Sequence, residues 1–261
     1  MSSHPLANIK GLLLDLDGVL YIENRVIDGA IDAVEALRRL KIPCRYTTNT
    51  TTKSLESLYK KLTGMGLPLE RSEIFGVIRA TQMYLRHLGD PSCYFLLSDD
   101  PMEDFREFKT SEENPDVVVI GDVGKRWDYD LMNKVFGMVI RGAEMVALHK
   151  GRYWQMEDGL RMDIGAFVAG LEYVTGESAT VIGKPSESFF NLVLEDLGMG
   201  ADNVAMIGDD IINDIQGAQM AGMKGVLVKT GKYRVELVET SDVKPDLIVN
   251  SIADIPALLG A

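Results

Sequence analysis

The stretch Gly11-Leu-Leu-Leu-Asp15-Leu-Asp17-Gly18-Val-Leu20 decides the reading of this chain. An apolar run ends in two aspartates one residue apart. Side chains alternate between the faces of a strand, so Asp15 and Asp17 are predicted to leave its end on one side, into solvent or a crevice. Gly18 lets the backbone turn, and Val19-Leu20 returns it to the interior. Carboxylates beside a buried strand are costly unless something compensates their charge. A divalent cation or a phosphoryl group in transfer would do so. A single aspartate here would read as a turn cap; Asp-x-Asp-Gly after an apolar strand reads as function.

Similar short apolar runs recur at Leu12–Leu14, Tyr46–Thr48, Tyr94–Leu97, Val117–Ile120, Met145–Leu148, Thr180–Ile182, Val204–Ile207, Gly225–Val228 and Leu247–Val249. Several carry the β-branched bias of strands buried on both faces of a parallel sheet. Helical spacing lies between them, at Ile31-Val34-Leu37-Leu40, Leu55-Leu58-Leu62 and Phe189-Leu192-Val193. The alternation predicts an α/β fold with a mostly parallel sheet. In such sheets ligands sit at the carboxyl ends of the strands.

Three further strand ends carry suitable groups. Tyr46-Thr47-Thr48-Asn49-Thr50-Thr51 precedes a helix expected from about Lys53, and its hydroxyls, amide and N–H groups suit an anion. Taken alone it reads equally as a cap by Thr50 or Thr51. In Val181-Ile-Gly183-Lys184-Pro185, an ammonium fixed beside two carboxylates would neutralise them and hold phosphate oxygens. Taken alone, Lys184 is a surface lysine before a helix. Met206-Ile-Gly208-Asp209-Asp210-Ile-Ile-Asn213-Asp214 supplies Asp209, which with Asp15 makes the carboxylate pair that Mg2+ prefers. Asp214 is expected to orient Lys184 or a water, and Asp210 to face away. Val118-Val-Ile-Gly-Asp122 echoes Ala205-Met-Ile-Gly-Asp209 but lacks an aspartate five residues on. Asp122 is therefore expected to be structural or solvent-facing.

In this order, Asp-x-Asp-Gly, Thr-Asn, Gly-Lys-Pro and Gly-Asp-(four residues)-Asp resemble the four motifs of the haloacid dehalogenase (HAD) superfamily over nearly the whole chain. About 135 residues separate Thr48 from Lys184 by the numbering. An insertion of that size looks like the C2-type cap of subclass IIA, with its NagD-like and 4-nitrophenylphosphatase-like members. The resemblance implies a Rossmann-like core of residues 1–79 and 179–261, and an α/β cap of residues 80–178. It implies a Mg2+-dependent phosphatase acting on a small-molecule phosphate ester. Asp15 would form an aspartyl-phosphate; Asp17 would protonate the leaving oxygen, then activate water, with its backbone carbonyl on the metal. Thr48, Asn49 and Lys184 would hold phosphate oxygens, Asp209 would complete the metal site, and Asp214 would stand behind it. Dehalogenases of the superfamily lack the second aspartate, so Asp17 favours phosphate esters. As an acid it must hold a proton near neutral pH, and Asp15 is expected to raise its pKa. Thr50 stands where many relatives have a second asparagine. A phosphotransferase or phosphomutase would use the same residues, and a non-catalytic phosphate-binding scaffold would be expected to have lost one.

Within the expected cap, His149-Lys-Gly-Arg-Tyr-Trp154 and Glu157-Asp158-Gly159 flank a hairpin or loop, the candidate specificity element. Lys150 and Arg152 would meet an acidic substrate, and Tyr153 or Trp154 would stack on a ring; a solvated basic turn with two core aromatics is the equal alternative. A formal net charge of −12 argues against nucleic-acid and anionic-membrane partners. No apolar run approaches the ~20 residues of a membrane span. Cys44 and Cys93 match no metal or redox spacing, and with no signal-like N-terminus a cytoplasmic location is expected. Caps of this subclass often pair, so the resemblance also implies a possible homodimer.

Overall fold

A computed structural model describes residues 5–156 and 159–260. In chain order its strands are β1 Gly11–Asp15, β2 Tyr21–Ile22, β3 Arg25–Val26, β4 Cys44–Thr48, β5 Ile74–Gly76, β6 Cys93–Leu96, β7 Val117–Ile120, β8 Glu144–Ala147, β9 Tyr153–Met156, β10 Gly159–Met162, β11 Thr180–Val181, β12 Val204–Gly208, β13 Lys224–Val228 and β14 Leu247–Val249. Each apolar run read from the sequence is a strand, with ends within two residues of those expected. The very short β2, β3 and β5 escaped notice, because two or three residues carry no periodicity.

The chain divides into two compact units. One comprises Met1–Thr48, Leu58–Gly76 and Lys184–Ala261; the other comprises Asn49–Ser57 and Val77–Gly183.

The first unit is built on a parallel six-stranded sheet of order β14-β13-β12-β1-β4-β5. Leu12, Leu13 and Leu14 are fully buried, as expected for a strand covered on both faces. From β1 the chain lays β4 and β5 to one side, then returns to lay β12, β13 and β14 on the other. The order reverses between β1 and β12, so their carboxyl ends form the switch-point crevice of an open α/β sheet. The helix Glu187–Leu197 is capped by Ser186, whose side chain accepts from the Phe189 N–H, and ends at Gly198 in the left-handed region. Its Phe189 packs edge-on against Phe75 of β5 at 5.6 Å.

The second unit has its own parallel sheet, order β11-β8-β7-β6, and the antiparallel hairpin β9-β10. Val118, Ile120, Met145 and Ala147 pack with Val135, Met138, Val168 and Leu171 of two helices. Residues 49–57 group here because Asp100 accepts from the Ser54 and Ser57 hydroxyls and the Ser54 N–H, while Asp104 accepts from the Leu55 N–H. The helix expected from Lys53 begins at Leu55, and its cap is Ser54, which accepts from the Ser57 N–H at 3.1 Å, rather than Thr50 or Thr51. No helix among the described residues is long and apolar enough to cross a membrane.

Candidate active site

Asp15 closes β1, beside the ends of β12 and β4. Lys184 reaches it from 169 residues away, donating to Asp15 Oδ1 at 2.6 Å and to Asp214 Oδ1 at 2.7 Å. Lys184 is 5% exposed, Asp15 8% and Asp214 1%, so this is a buried charge cluster rather than a surface ion pair. Burial alone would push the lysine's pKa down, but Asp15 and Asp214 overcome it and hold the ammonium above its ordinary value.

Asp209 follows Gly208 at the end of β12. Its Oδ2 accepts from the Lys232 N–H at 2.7 Å. Its Oδ1 is buried and has no hydrogen-bond partner. Burial pushes the Asp209 pKa up to about 7, with Asp15 and Asp214 adding to it against the Lys232 N–H. Ligand oxygens of Asp15, Asp209 and Asp214 all lie within 4.8 Å of one another. Three carboxylates against one ammonium leave an excess of buried negative charge, and an orphaned oxygen facing it wants a donor that no side chain supplies. A set of hard carboxylate oxygens suits a hard divalent cation, so the donor set fits such an ion.

The neighbouring aspartates divide the remaining work. Asp214 Oδ2 accepts from the Asp210 N–H at 3.2 Å while its Oδ1 holds Lys184. Asp210 turns away and caps the π-helical turn Ile211–Gln216, accepting from the Ile212 and Asn213 N–H groups. Asp17 lies beyond the strand end. The residue is exposed, but its surroundings withdraw enough water from the carboxylate to raise its pKa. Lys61 and Lys232 oppose this and Glu23 adds to it. Partial burial, rather than the Asp15 charge named from sequence, is therefore the largest raising influence. Tyr21 stands near both carboxylates, which with burial raise its hydroxyl, and Lys61 Nζ lies 4.2 Å from its ring centroid. Thr48 ends β4 and is buried.

The remaining expected residues belong to the second unit. Asn49 groups there. Lys150 is ion-paired with Glu172. Arg152 is exposed, and its carbonyl accepts from the Asp163 N–H. Glu157, Asp158 and the side chain of Trp154 lie outside the described residues. Asp122 makes a local turn, accepting from the Gly124 N–H at 2.7 Å. The thiols of Cys44 and Cys93 are buried, each pushed up to about 12 by desolvation.

Sequence reasoning gave no role to Thr230-Gly231-Lys232, which follow β13 and touch both Gly18 and Asp209. The signal was present: the triplet follows an apolar strand, as the other site motifs do.

Comparison with known proteins shows the family. Residues 12–111 match the model described as haloacid dehalogenase-like hydrolase, and residues 181–255 match a second, HAD-hydrolase-like model. The chain is 37% identical over 243 residues to human haloacid dehalogenase-like hydrolase domain-containing protein 2, covering 93% of each chain. It is 36% identical over 260 residues to human phospholysine phosphohistidine inorganic pyrophosphate phosphatase, covering 97% of this chain and 95% of that one. The solved p-nitrophenyl phosphatase from Archaeoglobus fulgidus superposes with a TM-score of 0.89 at 27% identity, over 96% of this chain and 99% of that one. With its switch-point aspartates and this likeness over nearly its full length, the chain belongs to the haloacid dehalogenase-like hydrolases, in subclass IIA.

Proposed function

We propose that this protein is a Mg2+-dependent phosphatase that hydrolyses a small phosphorylated metabolite through an aspartyl-phosphate on Asp15. The observation that carries the reading is the buried, unpartnered Oδ1 of Asp209, set among carboxylates that Lys184 only partly neutralises. Relatives whose names describe them as phosphatases support phosphate hydrolysis, and the p-nitrophenyl phosphatase supports the choice of ester.

Asp15, Asp209 and the backbone carbonyl of Asp17 would hold the ion, which when bound supplies charge neutralisation for an anionic substrate. Lys184 engages Asp15 Oδ1 and so turns Oδ2 toward phosphorus. Attack by Oδ2 forms the acyl-phosphate bond as the ester P–O bond breaks, and Asp17 gives its proton to the departing oxygen. Asp17 then takes a proton from water, whose oxygen attacks phosphorus, releasing inorganic phosphate and restoring Asp15. Thr48 contributes a hydroxyl to the phosphate oxygens, and Asp214 keeps Lys184 in place. Phosphoryl transfer depends on such positioning and charge balance more than on covalent chemistry by the protein.

The test is turnover of p-nitrophenyl phosphate by the purified chain with Mg2+, with EDTA, and as Asp15→Asn. Turnover is expected with Mg2+ alone and should fall by about a thousandfold or more in Asp15→Asn, as for loss of a nucleophile. Undiminished turnover in EDTA or in the variant overturns the assignment.

A further inference from the structure

The loop Thr230-Gly231-Lys232 touches the site at three points. The Thr230 hydroxyl donates to the carbonyl of Gly18. The Lys232 N–H donates to Asp209 Oδ2 at 2.7 Å. Between them, Gly231 has a φ of 57°, and a Cβ built on it would stand 2.0 Å from Asp209 Oδ2 and 2.6 Å from Gly18 Cα. Gly18, with a φ of 84°, packs against the same oxygen, where a Cβ would stand 1.9 Å from it. Neither position admits a side chain.

From this geometry we infer that Thr230-Gly231-Lys232 is a latch that positions two working parts of the site at once. It acts through Asp209 and through the turn that carries Asp17, touching no reacting atom itself. Asp209 Oδ2 is packed against two adjacent glycine backbones and held by an N–H, which fixes that oxygen on the loop and leaves the orphaned Oδ1 as the oxygen presented to a cation. The Gly18 carbonyl, held by Thr230, anchors the turn that follows Asp17. The same turn is closed on its other side by the Gly18 N–H, which donates to the Tyr21 carbonyl at 2.7 Å. An acid and a metal ligand 192 residues apart in sequence are thereby set in register by the loop after a third strand. The inference rests on the reading of Asp209 as a cation ligand.

The experiment is direct metal binding by the full chain, with Mn2+ followed by electron paramagnetic resonance and Mg2+ by calorimetry, for wild type and Gly231→Ala, together with p-nitrophenyl phosphate kinetics for Thr230→Val and Thr230→Ser. Gly231→Ala is expected to weaken metal binding by about tenfold or more, the scale seen when groups that orient metal ligands are disturbed. Thr230→Val should lower kcat by about tenfold at saturating metal, with KM little changed, and Thr230→Ser should restore it, since only the hydroxyl is required. Gly231→Ala binding metal as wild type does, or Thr230→Val turning over as wild type does, overturns the latch and leaves the phosphatase reading standing. Failure of the wild type to bind either metal overturns both. Should Gly231→Ala not fold, the Thr230 pair decides: a loss that serine does not restore counts against the latch.

Discussion

At the scale of single residues, Asp209 carries the consequence that is easiest to measure. Its carboxyl is raised from an ordinary 3.8 to about 7, first by burial and then by Asp15 and Asp214. Between those pH values the folded, metal-free chain holds a proton that the unfolded chain has lost. Stability from this group therefore falls as pH rises from about 4 to about 7, then levels off. A bound divalent cation favours the ionised carboxylate and removes that penalty. The rise in Tm on adding Mg2+ in place of EDTA is thus expected to be larger near pH 8 than near pH 5. An equal rise at both would take Asp209 out of the cation site. Residue identities alone picked out Asp15, Asp17, Lys184 and Asp209, because acidic and basic groups at the ends of apolar strands are chemically conspicuous. They did not reveal which carboxylate oxygen lacks a partner, since that depends on a loop from β13. Nor did they show that Lys150 is engaged by Glu172, a partner 22 residues away.

At the scale of elements, the helix Leu55–Gly64 shows how a local signal is settled by a distant one. Three consecutive threonines, Thr50 to Thr52, lie upstream, two of them offered as caps, yet Ser54 takes the cap and a carboxylate from elsewhere in the chain fixes it. Ser54 accepts from the Ser57 N–H and donates to Asp100 at 2.9 Å. Ser54→Ala should lower stability by about 1–2 kcal/mol, the loss of a helix cap together with a hydrogen bond to a charged partner. Urea denaturation would show it. Thr51→Ala in the same assay should not reproduce that loss through capping, and equal effects would return the cap to the threonine run. The strands themselves were legible because apolar runs flanked by glycine and polar residues are a short-range pattern. β5 was not: its three residues are defined by pairing with β4, which sequence does not display.

At the scale of the whole molecule, the formal charge of −12 sets what the surface will accept. With so large a net negative charge opposing contact with phosphates, the protein is expected to leave duplex DNA unshifted in a gel at about 0.1 M salt. A shift there would point to a local basic surface that the net charge conceals. The sequence by itself determined the α/β class, the order of the strands along the chain and the four strand ends that carry chemistry, because periodicity, chain punctuation and residue type are written in one dimension. The tertiary structure alone decided the rest. The strand order placed β1 beside β12, and so put Asp15 among the oxygens of Asp209 and Asp214, while the turn before the helix Glu187–Leu197 brought Lys184 to it. It also set the loop 230–232 against Gly18 and Asp209. Charge coupling, desolvation and an unpartnered oxygen depend on everything packed around a group, and that neighbourhood exists only once strands far apart in sequence lie side by side.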